Sequence, residues 1–294
     1  MTRRSVRRAL LAGALSAALL VWTSMAAAEG VVIASGKKGG YYHSVARGLR
    51  AVLVSEHGIP TDVLTTGGSM ENLAALADPD SLVNVALVQA DALLSYLASH
   101  PGFADDYVQL SDAGKECAFI VARAGAGIDS LAGLAGGSIA IGEEGSGAAV
   151  TWANLTRLRP DLAPTRAEPS GVIETLLAMR APRPDANGPV AAMLVQRPMA
   201  VATPLEIVLQ NEADYTLVPI REDDLEKRSH LDGAPVYSYE KVVVGFGRDY
   251  QASVDTLCTR ALVLAARGKL SAEEFETVGE AVLTSRRYVM PGSR

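Results

Sequence analysis

The chain has 294 residues, of which 49% are hydrophobic and 20% are charged, and its formal net charge at pH 7 is −6. This composition excludes an intrinsically disordered protein, and the acidic balance argues against binding to nucleic acid or to an anionic lipid surface. The 2 cysteines form no Cys-x-x-Cys motif and the 4 histidines lack metal-ligand spacing, so we expect neither a metal site nor a cofactor.

The N-terminus has the three parts of an export signal. Arginines between residues 3 and 8 form a basic segment, residues 9–21 form an apolar run, and three alanines at 26–28 provide small residues for cleavage. The apolar run is shorter than the roughly 20 residues of a membrane-spanning helix. We therefore predict a signal peptide at 1–28, cleavage after Ala28 and a periplasmic protein. The export route, Sec or twin-arginine, stays open.

Short apolar runs alternate with helical patterns from Val31 to about Ile220, which is typical of parallel strands covered by helices on both faces. We predict strands at 31–34, 61–65, 83–88, 138–141, 190–195, 215–220 and 241–246, with a further apolar run at 117–122. We predict helices at 42–54, 72–76, 92–97, 148–158, 171–180, 253–267 and 271–286. A Gly/Ala-rich break at 124–127 separates two successive α/β units.

Four strand-to-helix loops carry the candidate chemistry, at 36–42, 66–72 and 89–91 in the first unit and at 142–147 in the second. Such loops lie at the carboxyl ends of the strands, where open α/β sheets bind ligands. Glycines there let the backbone approach a ligand, and the N–H groups of helix N-termini attract anions. Two facing sets of these loops predict a cleft that closes on a small ligand.

The candidate ligand-binding residues are Lys37, Gly39, Gly40, Tyr41, Tyr42, Gly68, Ser69, Asn72, Gln89, Asp91, Glu143, Gly145 and Ser146. Alternative roles stay open, because glycine-rich loops often serve only as turns and because Ser69 and Asp91 can equally be helix caps. The loops match neither a P-loop nor a Gly-x-Ser-x-Gly nucleophile elbow. No nucleophile, base and orienting group can be assembled, so we expect no catalytic residues.

These loops resemble the TAXI family of solute-binding subunits of tripartite ATP-independent periplasmic (TRAP) transporters. The resemblance rests on Gly39-Gly40-Tyr41-Tyr42, on the Gly-Gly-Ser-x-x-Asn run that ends at Asn72, and on Gln89-Ala90-Asp91. In the second unit it rests on residues 128–142 and on Gly145-Ser146-Gly147. It covers residues 31–160 well and 190–290 more loosely.

The resemblance implies an α/β fold of the type II periplasmic-binding-protein class, in which two α/β lobes enclose a ligand cleft. It implies a first lobe of residues 29–115 plus 236–294 and a second lobe of residues 116–235. It also implies that the ligand is an amino acid or organic acid, passed to membrane subunits driven by an ion gradient. We expect a monomer whose partners are that small molecule and those subunits, without nucleic acid.

Several residues depart from the family pattern. Lys37 and Lys38 stand where small polar residues are usual, Tyr41 stands where a threonine is common, and Glu143-Glu144 replaces a neutral pair. These departures suggest that a lysine pairs with a ligand carboxylate while a glutamate meets an ammonium group, which would favour a zwitterion. The alternative is that these charged side chains are simply solvated.

Three further alternatives remain open. The same fold can serve an extracellular sensor that docks to a membrane receptor, or a small hydrolase. Cys117 and Cys258 could pair in an oxidising compartment, or could be two buried free thiols.

Overall fold

The computed structural model describes residues 30–181, 188–197, 204–221, 223–246 and 250–289. The predicted signal peptide lies outside these residues. Within the described ranges, no helix has the length and apolar character needed to cross a bilayer.

The described residues form twelve strands and eight α-helices. The strands are β1 (Val31–Ala34), β2 (Thr61–Leu64), β3 (Val85–Gln89), β4 (Tyr107–Arg123), β5 (Ser138–Ala140), β6 (Arg166–Glu168), β7 (Ala191–Gln196), β8 (Tyr215–Val218), β9 (His230–Leu231), β10 (Ala234–Pro235), β11 (Tyr237–Phe246) and β12 (Tyr250–Ala266). The helices are α1 (Tyr41–His57), α2 (Ser69–Ala77), α3 (Ala90–Ser99), α4 (Gly147–Leu158), α5 (Val172–Met179), α6 (Pro204–Leu209), α7 (Asp223–Arg228) and α8 (Ala272–Val289).

Two groups of parallel strands lie in one sheet of order β2-β1-β3-β12-β4-β7-β5-β6. In the first unit β1 pairs in parallel with β2 and β3, and in the second unit β5 pairs in parallel with β6 and β7. Between them, β12 runs antiparallel to β3 and β4. The two predicted α/β units are therefore present, but the sheet that contains them is mixed rather than purely parallel.

Strand β3 illustrates why these segments fold as buried strands. Its five residues are all buried, and alternate side chains enter two different cores. Val85 and Leu87 pack with residues of α1 and α8, whereas Ala86 and Val88 pack with residues of α2 and α3. A strand covered by helices on both faces must be apolar at successive positions, as this sequence is.

The helix predicted at 253–267 is wrong, because these residues belong to β12. The apolar residues Val254, Leu257, Cys258, Ala261 and Leu262 are spaced like one face of a helix. They are instead buried residues of a long strand whose first part pairs with β11 and whose second part lies between β3 and β4. In such a strand an apolar run carries no reliable periodicity.

Strands β4 and β12 pass through both units. The first part of β4 pairs with the end of β12 beside β3, and its second part, from Cys117, pairs with β7. Cys117 is the register partner of Cys258, and the two form a disulfide. The pairing left open by the sequence is thus present in the structure. The lobe boundary predicted at residue 115 falls within β4, and the division into lobes stays a prediction.

Candidate functional site

A cavity of about 660 Å³ lies between the two parallel units. This volume is within the usual range for small-molecule sites. The predicted site residues that line it are Lys37, Gly40, Tyr41, Tyr42, Gly68, Ser69, Gln89, Glu143 and Ser146. The glycine-rich loops of both units therefore meet at one space rather than at separate surfaces.

Four helices begin at the wall of this cavity. Helices α1 and α2 start beside Gly40 and Gly68 in the first unit, and α4 and α5 start beside Ser146 and Gly171 in the second. The first backbone N–H groups of a helix have no partner within it, and they carry a partial positive charge. Their convergence makes the cavity suitable for an anionic group.

The two glycine-rich loops touch at Gly68. Its φ is +138°, which a side chain rarely tolerates. A Cβ there would lie 3.5 Å from the Gly145 carbonyl oxygen and 3.5 Å from the Ser146 Cα. Ser146 accepts a hydrogen bond from the Ala149 N–H at 3.3 Å and so caps α4. The loop sequences thus allow a close approach of the two backbones.

Four of the predicted residues do not line the cavity. Asn72 donates from Nδ2 to the carbonyl oxygens of Ser35 and Leu87, each at 2.6 Å, and so ties β3 to the loop after β1. Gly145 packs against Met70. Gly39 lines a neighbouring depression of about 430 Å³ with Lys38, His43, Ser44, Arg47 and Gly48.

Asp91, the fourth, is fully buried behind the cavity and joins the two units. Its carboxylate accepts hydrogen bonds from Thr151 Oγ1 of α4 at 2.6 Å and from the Tyr237 hydroxyl at 3.0 Å. Burial raises the pKa of the Asp91 carboxyl, and these two donors partly oppose the shift. The residue therefore fixes α3 against α4 rather than facing the cavity.

Ser69 and Gln89 form a bonded pair in the cavity wall. Ser69 Oγ accepts a hydrogen bond from the Gln89 N–H at 3.0 Å, so Ser69 joins α2 to the end of β3 and does not cap its own helix. Gln89 Nε2 in turn donates to Glu116 Oε2 at 3.5 Å. The pair thereby orients the Gln89 side chain next to Glu116.

Glu116 of β4 lines the cavity and was missed by sequence reasoning. It is 7% exposed, and burial raises its pKa from 4.5 to about 7. The polar segment before Cys117 gave little reason to single it out. The available signal was its position directly before the apolar run 117–122, which places its carboxylate at the edge of a core. The start of α5 and the end of β7 are further walls that the prediction omitted.

Two buried polar atoms at this site have no hydrogen-bond partner in the described part of the chain, the Tyr42 hydroxyl and Gln89 Oε1. Burial raises the pKa of Tyr42 well above its usual value, and the negative charge of Glu116 adds to the shift. Buried polar groups in folded proteins are nearly always paired. These two atoms therefore point to a bound molecule or water as their partner.

Lys37 and Glu143 form an ion pair of 2.5 Å across the cavity mouth, and each side chain is 58% exposed. The hypothesis that a lysine and a glutamate here contact the charged ends of a zwitterion stays a prediction; in the structure, the first unit's Lys37 pairs with the second unit's Glu143. Nearby, the Arg197 guanidinium lies over the Tyr41 ring at 4.9 Å from its centroid. The mouth is thus bridged by polar and aromatic contacts.

Of three solved structures that are similar to this chain, two have TM-scores above 0.5. The periplasmic aliphatic sulphonate-binding protein SsuA from Escherichia coli matches with a TM-score of 0.53 and 13% identity, over 88% of this chain and 72% of SsuA. XAC2383 from Xanthomonas citri bound to ATP matches with a TM-score of 0.51 and 12% identity, over 89% of this chain and 87% of XAC2383. An OxyR mutant from Corynebacterium glutamicum matches with a TM-score of 0.46 and 11% identity, over 88% of this chain but only 64% of the OxyR chain.

At these identities the likeness to SsuA and XAC2383 shows the fold alone. It confirms the predicted fold class, a mixed α/β fold of the periplasmic-binding-protein type. No curated protein sequence matches significantly. The sequence profile of the NMT1-like family matches residues 33–280, which include both units and every loop at the cavity. The chain therefore belongs to the NMT1-like family.

Proposed function

We propose that this protein is a periplasmic solute-binding protein that captures a small anionic or zwitterionic metabolite, an amino acid or an organic acid, for a TRAP-type secondary transporter. The observation that carries the proposal is the convergence of helix starts from both units on one cavity with buried, unpartnered polar atoms. Helix N-termini favour a carboxylate, and the unpartnered atoms supply orientation. The resemblance of the loops to the TAXI family supports the transporter class.

The proposed direct contacts are the nine predicted residues that line the cavity together with Glu116. Gly39, Asn72, Asp91 and Gly145 are assigned to the support of those loops. Binding would involve closure of the two units on the ligand, because the loops at Gly68 and Gly145 belong to opposite units and are in contact.

Export and assembly are part of the same proposal. A signal peptide cleaved after Ala28 would deliver a monomer to the periplasm, where the disulfide between Cys117 and Cys258 can persist. In protein purified from a periplasmic fraction, N-terminal sequencing should give Glu29 as the first residue. Light scattering of the same protein should give the mass of a single chain.

Mass spectrometry of native protein tests ligand capture. The small molecule released on denaturation should be a carboxylic acid present in about equimolar amount. Cells that lack the protein should lose uptake of that compound, and uptake in wild-type cells should stop when an ionophore collapses the ion gradients while ATP is maintained. Binding without any uptake defect would favour the sensor, and chemical conversion of the compound by purified protein would favour the hydrolase.

A further inference from the structure

The floor of the cavity presents buried polar groups that can accept further hydrogen bonds. Glu116 is 7% exposed and Gln89 is 2% exposed. Gln89 Nε2 donates to Glu116, whereas Gln89 Oε1 has no hydrogen-bond partner among the residues described. The hydroxyl of Tyr42, which is 9% exposed, is also without one there. Leaving a buried polar atom unpaired costs about 1–3 kcal/mol. Gln89 Oε1 therefore calls for a ligand donor, and the Tyr42 hydroxyl, which can donate toward Glu116, keeps a lone pair that can accept from the ligand.

No described side chain neutralises Glu116 through an ion pair. Burial raises its pKa to about 7. The Tyr42 hydroxyl and the Gln89 amide oppose this rise, the charge of Asp91 adds to it, and the charge of Arg197 opposes it. On the same strand, Lys115 is ion-paired with Glu240 of β11. Among the residues that the structure describes, no cation is therefore paired with Glu116.

The acidic groups at the rim are already engaged. Glu143 is paired with Lys37. The Glu174 carboxylate lies against Gly171, at the start of its own helix α5. Glu116 is consequently the lining carboxylate that is both buried and without a cationic partner in the described part of the chain.

We propose that the ligand carries a protonated amine, and that this amine binds at the cavity floor to the Glu116 carboxylate, Gln89 Oε1 and the Tyr42 hydroxyl. A primary ammonium has three N–H donors, which matches these three acceptors in number. The ligand carboxylate then faces the starts of α2 and α4. This assignment rests on the proposed function and narrows its ligand class to an amino acid or a similar zwitterion.

The opposite assignment has a protonated Glu116 donating to a ligand carboxylate. It leaves Gln89 Oε1 without a donor and places a second negative charge near Asp91, whose carboxyl already acts electrostatically on Glu116. An ammonium group satisfies both conditions, and a cation beside Glu116 lowers its pKa and keeps it ionised.

Two pooled probes give the first test. One pool contains the twenty common amino acids, and the other contains the matching carboxylic acids without the α-amine. Thermal shift and calorimetry should detect binding of the first pool and at least about tenfold weaker binding of the second. Equal or tighter binding of the second pool, or a compound released from native protein that has no basic nitrogen, would overturn the amine assignment and leave solute binding intact. If neither pool binds and native protein releases no compound, both proposals fail.

The variant Glu116→Gln gives the second test, with the exposed Glu276→Gln as matched control. For the wild type, affinity for the best amino acid of the pool should fall up to about tenfold per pH unit as the pH drops below 7, because protons compete for the carboxylate. Glu116→Gln should bind at least about tenfold more weakly at pH 8 and lose that pH dependence. Glu276→Gln should behave like the wild type.

An affinity that rises as the pH drops would instead indicate a protonated Glu116 that binds an anion, and would overturn the assignment. Circular dichroism and the unfolding midpoint of each variant establish that it is folded. The ratio of the affinities for the two pools is then compared only among variants that are folded. A loss of binding caused by unfolding is thereby excluded.

Discussion

Cys117 of β4 and Cys258 of β12 are direct cross-strand partners, and their disulfide joins the two long strands beside the cavity. The adjacent residue, Glu116, is the register partner of Thr259. The disulfide therefore lies one residue along β4 from Glu116, where β4 changes its neighbours. It holds together two strands that both α/β units share.

Replacement of both cysteines by serine should lower the free energy of unfolding substantially. The disulfide closes a chain separation of 141 residues, and in the chain-entropy description such a loop contributes up to about 5 kcal/mol. Urea titration monitored by circular dichroism measures the change. Wild-type protein in a reducing buffer should unfold at a similar midpoint, whereas a change below about 0.5 kcal/mol would mean that the paired strands alone hold this region.

The Lys37–Glu143 ion pair should affect ligand release more than stability. Both side chains are exposed, so the pair contributes about 1 kcal/mol or less to folding. Glu143→Lys places two cations at the mouth and should speed dissociation of a bound ligand in stopped-flow measurements. The exchanged pair, Lys37→Glu with Glu143→Lys, should restore the wild-type rate. If the exchanged pair does not restore the wild-type dissociation rate, the attraction between these two side chains does not control ligand release.

The sequence predicted the first unit and its loops well. Strand β1 has the predicted bounds, and β2 and β3 lie within a residue or two of theirs, because glycine-rich turns separate short apolar runs from helices. The same loops placed Gly40, Gly68 and Ser146 at one cavity, since parallel strands present their carboxyl ends at one edge.

The rest depends on long-range pairing that local patterns do not encode. Residues 250–266 form a strand because their first part pairs with β11 and their second part lies between β3 and β4. Glu116 became a candidate only when β4 brought it beside Gln89, 27 positions away. Asn72 and Asp91 have the residue types of ligand contacts, but burial directs both to hydrogen bonds within the fold.

Gly147→Ala should weaken ligand binding by at least about tenfold. A Cβ at this first residue of α4 would lie 2.6 Å from Cδ of Gln89, so the buried Gln89 amide must leave its present position. Gly279→Ala in α8 is the matched control, because a Cβ there meets nothing within 4 Å. The control should keep the wild-type affinity and gain up to about 1 kcal/mol in stability from better helix propensity. If Gly147→Ala and Gly279→Ala bind the ligand with equal affinity, Gln89 does not contribute to ligand binding.

Glu116→Gln should stabilise the ligand-free protein at high pH. The folded-state pKa of Glu116 is about 7, above its ordinary 4.5, so the folded chain holds the proton more tightly and its stability decreases as the pH rises from 4.5 through 7. The variant lacks this loss and should be more stable than the wild type at pH 8 by up to about 3 kcal/mol, with little difference near pH 4.5. Chemical unfolding at several pH values measures the difference, and a constant offset across pH would argue against the raised pKa.

The buried contact between α3 and α4 should be sensitive to the loss of either donor to Asp91. Thr151→Val removes the 2.6 Å bond and Tyr237→Phe removes the 3.0 Å bond. Each should cost about 1–3 kcal/mol, because a buried acceptor is left with one fewer donor. Thr156→Val on the same helix is the control, since its hydroxyl bonds only to carbonyl groups of α4.

The effect of Thr151→Val should also depend on pH. Burial already raises the pKa of Asp91, whereas the Thr151 hydroxyl favours its charged form and lowers that pKa. Without this donor the pKa rises further, so the destabilisation should be larger at pH 8 than at pH 5. The same comparison for Thr156→Val should give no pH dependence. A Thr151→Val penalty that stays constant with pH would mean that Asp91 keeps one protonation state between pH 5 and pH 8, and would contradict this prediction.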